Sequence, residues 1–286
     1  MKYTSLYLTS GGTHGYSMLG SIHVLEKLNM INKIRKYIGV SVGSLISLLL
    51  ILKYKSCEIF KIFISEDIED IYFNYEFESE NLILNLIKHH GMSEGNSINR
   101  ILQIFLKERH LKPNITFKEL YEFNNIEFIV IAANVTKNRL EYFSHILTPD
   151  VNVLLAIKAS SAIPMMFKPI KYNNDTLIDG AFYNSIMNKY IDNKTFTIRL
   201  KTLNIYNDDN FINYIKLLFQ NLSERTHKDN KFHSIELSFK KSGVNFKISN
   251  NDKSNMFNYG IIETLKFINW KNTLFNIFLI WKDIKS

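Results

Sequence analysis

Gly39-Val40-Ser41-Val42-Gly43 sets a serine between two glycines where a strand-like segment, "KYIGV", gives way to a helix-like one, "SVGSLISLLLILKYKS". Glycine is scarce, 11 of 286 residues, so a pair of them around one serine needs a reason. The pattern G-x-S-x-G between a strand and a helix holds a serine hydroxyl out of the sheet on a sharp turn. The helix N-terminus behind it favours developing negative charge. Close packing of a helix on a strand is the other use for such glycines. A second cluster, Gly11-Gly12-Thr13-His14-Gly15, follows "KYTSLYLTS" and opens another helix-like segment. A loop of this kind aims backbone N–H groups at negative charge. It is not the dinucleotide pattern G-x-G-x-x-G, and "KYIGVS" ends without the acidic residue that pattern wants. Tyr16-Ser17 stands where a phosphate loop needs Lys followed by Ser or Thr. An oxyanion hole, which needs only amides near a nucleophile, and an ordinary tight turn both remain.

A serine attacks only when a base removes its proton. In the order common for such an elbow, serine, acid, histidine, the candidates are Ser41, Asp179 and either His227 or His233. That order fits poorly. Ser41 follows only two predicted strands, and both histidines lie in "ERTHKDNKFHS", a charged segment that reads as solvent-exposed.

The elements that must position these residues follow from periodicity. "KYTSLYLTS" alternates polar and apolar residues as a strand does. Met18, Ile22, Leu25 and Leu28 then recur at helical spacing. Strand, glycine loop, helix, strand, tight turn, helix is a βαβα opening, which predicts an α/β fold with a central, mostly parallel sheet flanked by helices. From Glu58 to His110 the pattern is mostly helical, broken at "HHGMSEGNS". "IEFIVIAANV", "LEYFSHIL", "TLIDGAF", "KTFTIRLKTL" and "HSIELSFKK" read as strands, and "VNVLLAIKASSAI" as a helix stopped before Pro164. The chain ends on an amphipathic stretch from Met256 to Ser286.

Composition bounds the partners. The chain is 46% hydrophobic and 22% charged, as a globular protein is. The uncharged run between Lys36 and Lys53 is sixteen residues, short of the roughly 20 that cross a bilayer. No secretory signal is visible, and the single cysteine, Cys57, fits a reducing, cytoplasmic compartment. The net charge of +8 suits an anionic membrane surface or simply a basic soluble one. Nucleic acid is not expected, because no zinc-finger spacing or aromatic RNA-binding signature accompanies the charge. Trp270, Phe275, Phe278 and Trp281, with Lys271, Lys282 and Lys285, suit either an interfacial helix end or a packed core.

Six segments in order resemble the patatin-like phospholipase family, the first five covering most of residues 5–192. "LYLTSGGTHGYSMLGSIHVLEKL" is similar to its opening loop and helix, and "GVSVGS" to its elbow. "TFKELYE" and "AIKASSAIPMMFKPI" are similar to intervening landmarks. "LIDGAF" is similar to its Asp-Gly-Ala/Gly motif, and "NYGIIETLKF" to a late helix. The resemblance implies a patatin-like fold with a phospholipase domain over 5–192, completed by a strand and helices over 193–286. It implies a serine–aspartate dyad without histidine, Ser41 as nucleophile and Asp179 as general base, with the amides of Gly11, Gly12 and Thr13 as the oxyanion hole. Gly15, Gly39, Gly43, Gly180 and Ala181 are the matching motif positions. The implied substrate is a phospholipid or acylglycerol ester, with no metal or other cofactor. Ser10 departs from a common glycine and His14 from a common arginine, and "AFYNSIM" lacks the usual Asn-x-Pro. A Ser-His-Asp esterase and an inactive lipid-binding relative are the alternatives.

Overall fold

The computed structural model describes residues 3–65, 82–183, 188–202, 233–239 and 248–268. β1 (Ser5–Leu8) runs through the glycine loop and a 3-10 turn (Gly12–His14) into α1 (Gly15–Lys27). β2 (Lys36–Val40) passes through Ser41 into α2 (Val42–Ile51). Then come α3 (Ser56–Phe63), α4 (Leu82–His89), β3 (Gly91–Ser93), α5 (Asn96–Glu108) and α6 (Phe117–Asn124). The second half holds β4 (Glu127–Asn134), β5 (Arg139–Phe143), α7 (Val153–Ser160), β6 (Met165–Phe167), β7 (Ile170–Tyr172) and β8 (Asp175–Asp179). β9 (Thr195–Thr202), β10 (Ser234–Phe239) and α8 (Asn250–Phe267) complete the described chain.

Eight strands form one sheet in the order β10-β9-β1-β2-β4-β8-β7, with β5 also paired to β4. From β10 to β4 every pairing is parallel; β5, β8 and β7 join antiparallel. The sheet is mixed but mostly parallel. β3 and β6 make a separate pair. Strand alternation sorts the core. Leu6, Leu8, Tyr37, Phe128 and Val130 belong to the large apolar cluster that includes residues of α1, α2, α3, α5, α6, α7 and α8. The alternate residues, Tyr7, Ile38, Val40, Ile129 and Ile131, form a smaller cluster under Tyr142, Tyr183 and Tyr190. β4 is buried from Phe128 onward, which explains its continuous apolar run.

Two local expectations differ from the structure. The break at "HHGMSEGNS" contains β3, held by parallel pairing of Gly91 with Met165 and Ser93 with Phe167. The strand expected over "LEYFSHIL" ends at Phe143. Ser144 turns the chain: its hydroxyl accepts from Leu147 N–H at 3.2 Å, and its carbonyl accepts from Thr148 N–H at 2.9 Å.

Candidate active site

The serine turn is built before any chemistry is considered. Ser41 has φ 53° and ψ −127° as the N-cap of α2, a strained backbone of the kind that collects at functional sites. Two other serines hold it there. The Ser44 hydroxyl and amide both donate to the Ser41 carbonyl, at 2.6 and 2.8 Å. From the end of α7, Ser160 Oγ accepts the Ser41 N–H at 2.9 Å and donates to the Ile131 carbonyl at 2.6 Å. Gly43 is required by approach: a Cβ there would lie 2.1 Å from the Leu8 carbonyl oxygen. A Cβ on Gly39, inside β2, would lie 2.5 Å from Ser44 Cα, and Gly15 begins α1 against Val42.

Sheet register delivers the aspartate. β2 pairs with β4 up to Val40 opposite Ile131, and β8 pairs with β4 from Asp179 opposite Ala132. The two strands thus end at adjacent residues of β4, Ser41 one step beyond one and Asp179 last in the other. The Asp179 amide donates to Ala162 O at 3.0 Å, tying it to the same stretch that grips Ser41. Asp179 is 2% exposed. The Ser41 hydroxyl donates to its carboxylate, and so does the Ala181 N–H, at 2.9 Å, from the 3-10 turn begun by Gly180. Burial raises the Asp179 pKa from 3.8 to about 6, and those two hydrogen bonds oppose the rise.

Ser41 opens onto a cavity of about 130 Å³. Its walls are largely apolar, with Leu45 and Leu49 from α2, Phe63 from α3, and Ile163. Gly12, Thr13 and Gly15 also line it, so two of the three expected oxyanion residues face the space that Ser41 faces. Gly11 packs against Leu200, and its carbonyl accepts from His14 N–H at 3.1 Å. His14 is buried and stacks on Phe239 with ring centroids 3.9 Å apart; burial lowers its pKa to about 4. A neutral ring therefore stands where the resemblance leads one to expect an arginine. His233 is exposed, edge-on to Tyr3 at the N-terminal end of the strands, while Ser41 lies at the C-terminal end. His227 lies outside the described residues.

The sequence profile of patatin-like phospholipases matches residues 6–187. The chain belongs to the patatin-like phospholipase family. A probable lipid hydrolase of Invertebrate iridescent virus 6 is 31% identical to it over 245 residues, 82% of this chain and 77% of the relative. An uncharacterized protein of Acanthamoeba polyphaga mimivirus is 26% identical over 182 residues, 62% of this chain and 57% of that one. Among solved structures, VipD from Legionella pneumophila superposes with a TM-score of 0.65 at 16% identity, covering 94% of this chain and 67% of VipD. The ExoU–SpcU complex of the Pseudomonas aeruginosa type III secretion system gives 0.51 at 16% identity, covering 93% and 51%. At that identity both speak to the patatin fold alone.

Three residues of this patatin-like site escaped the sequence: Ser160, Ser161 and Lys253. Ser160 braces the elbow, and the other two line the cavity. The signals were weak, a Ser-Ser pair closing an apolar helix and a lysine on a helix face that is otherwise small or apolar.

Proposed function

We propose that this protein is a lipid acyl hydrolase that cleaves acyl esters of glycerophospholipids through a Ser41–Asp179 dyad and a covalent acyl-enzyme. The observation that carries the reading is the Ser41 hydroxyl hydrogen-bonded to a buried carboxylate beside an apolar cavity. Asp179 accepts the hydroxyl proton as Ser41 Oγ attacks the ester carbonyl carbon. The tetrahedral oxyanion meets the amides of Gly12 and Thr13, with Gly11 behind them. Collapse breaks the C–O bond, and the leaving alkoxide takes the proton from Asp179. The acyl group stays on Ser41 with its chain in the apolar cavity. Water, deprotonated by Asp179, then attacks the acyl carbon; the bond to Ser41 Oγ breaks, Ser41 takes the proton back from Asp179, and the fatty acid leaves. The reaction takes place at an anionic lipid surface, a reading supported by the net charge of +8.

Hydrolysis of a lipid panel tests this. Fatty acid release by the unsubstituted protein is expected, with Ser41→Ala inactive. His227→Ala and His233→Ala should each stay within about threefold, since general-base loss costs roughly a hundredfold or more. No release from any acyl ester would overturn the hydrolase. Collapse of a histidine variant that remains folded would replace the dyad by a triad.

A further inference from the structure

Ester cleavage as proposed uses Ser41, Asp179 and the loop amides, and leaves Lys253 without a task. Lys253 lies in the first turns of α8, is 2% exposed, and lines the same cavity as Ser41. The other buried residues of α8 are Phe257, Gly260, Ile261, Thr264 and Leu265, spaced to form one face of the helix. That face crosses α1 closely, Gly20 against the Phe257 carbonyl and Gly260 against the Ser17 carbonyl. A lysine heads this stripe. Surface lysines cover apolar groups with their stems and keep the ammonium in water; here the whole side chain is buried. Its ammonium donates to Asn250 Oδ1 at 3.0 Å, within the same helix.

A second polar group in the lining is also unused by the chemistry. The Ser161 hydroxyl is buried and has no hydrogen-bond partner among the described residues. The residue before it, Ser160, is the one that holds the Ser41 amide. A largely apolar cavity therefore offers a cation and an unused hydroxyl donor in the lining they share with the candidate nucleophile. A buried ammonium favours an anionic ligand, because the ligand replaces lost hydration by charge-assisted hydrogen bonds. In a glycerophospholipid the phosphodiester is only a few bonds from the acyl ester, so a ligand presenting its ester to Ser41 carries its anion into the same cavity.

We infer that Lys253, with Ser161 in the same lining, binds the phosphodiester of the lipid whose ester faces Ser41, and thereby selects phosphate-bearing lipids over neutral acylglycerols. This rests on the ester hydrolysis proposed for the same site. The two are separated by measuring binding apart from turnover. Dihexanoylphosphatidylcholine and dihexanoylglycerol are titrated calorimetrically into the full chain carrying Ser41→Ala, alone and combined with Lys253→Met or Lys253→Arg. The Ser41→Ala protein should bind the phosphatidylcholine at least about tenfold more tightly, as a charged hydrogen bond allows. Lys253→Met should remove most of that preference while changing diacylglycerol binding less than about twofold, and Lys253→Arg should retain it. Equal affinity for the two lipids, no binding of the phosphatidylcholine, or equal losses for both lipids in Lys253→Met would overturn the inference. The first two outcomes are read without any Lys253 variant, so they hold even where that variant does not fold. Hydrolysis of both lipids by the unsubstituted chain is followed in parallel: its absence contradicts the hydrolase reading, whereas an unchanged preference in folded Lys253→Met contradicts only the role of Lys253.

Discussion

Burial lifts the Asp179 carboxyl toward neutrality, and the Ser41 hydroxyl and the Ala181 amide keep it from rising further. A base must be ionised to act, so kcat/KM should increase as pH rises through about 6 and level off above it. A rate profile flat from pH about 5 to 8 would remove Asp179 as the titrating base. The same shift acts on stability with the opposite sense. The folded-state pKa exceeds the ordinary value of 3.8, so the fold is favoured by protonated Asp179. That contribution is complete below the unfolded value and is lost as pH rises through about 6. Asp179→Asn should therefore be more stable than the natural chain at pH about 8, by up to roughly 3 kcal/mol, with no advantage near pH 4. Urea unfolding at the two pH values measures it; a variant less stable at the higher pH would show that the carboxylate is well solvated. His14 runs the other way. Its lowered pKa gives stability that is present above about 6.5 and lost as pH falls through about 4.

At the scale of elements, the site depends on where strands stop. β2 and β8 both end on β4 at neighbouring residues, and this alone brings Ser41 to Asp179 across 138 positions of sequence. α1 and α8 close the structure behind the loop through two glycines. A Cβ on Gly260 would lie 1.9 Å from Ser17 O, and one on Gly20 the same distance from Phe257 O. Gly260→Ala should thus separate the helices and destabilise the fold by about 1–3 kcal/mol, seen as a lower Tm. An unchanged Tm would mean that the crossing is looser than the structure has it. The glycine loop, the elbow and their helices were legible in the sequence because each is a local pattern: a few residues of strand, glycines, then helical spacing. Asp179 was legible only through its Asp-Gly-Ala motif, and nothing local announced its burial. The brace by Ser160 was not legible, since its partner amide is 119 residues away. Nor were β3, β6 and β7, whose three residues are too few for a period to show.

For the whole molecule, two strands from the C-terminal third belong to the same sheet: β9 pairs with β1 and carries β10. We propose that residues 193–286 complete a single unit with 5–192. Among the described residues no helix is long and apolar enough to cross a membrane. A net charge of +8 is attracted to an anionic lipid surface. Binding to vesicles containing anionic lipid should exceed binding to neutral vesicles and weaken as salt rises from about 0.05 to 0.5 M, since screening shortens the reach of surface charge. Salt-independent sedimentation with both kinds of vesicle would point to apolar insertion instead. The aromatic and lysine residues from Trp270 to Lys285, the sequence's candidates for an interfacial helix end, lie outside the described residues.

The dyad itself is tested most directly by the rate at which a fluorophosphonate labels the protein, followed by intact mass and peptide mapping. The predicted result is a single adduct on Ser41, absent from Ser41→Ala, forming about a hundredfold or more slowly in Asp179→Asn than in the natural chain. Labelling of Asp179→Asn at the natural rate, or an adduct on any residue other than Ser41, would contradict it.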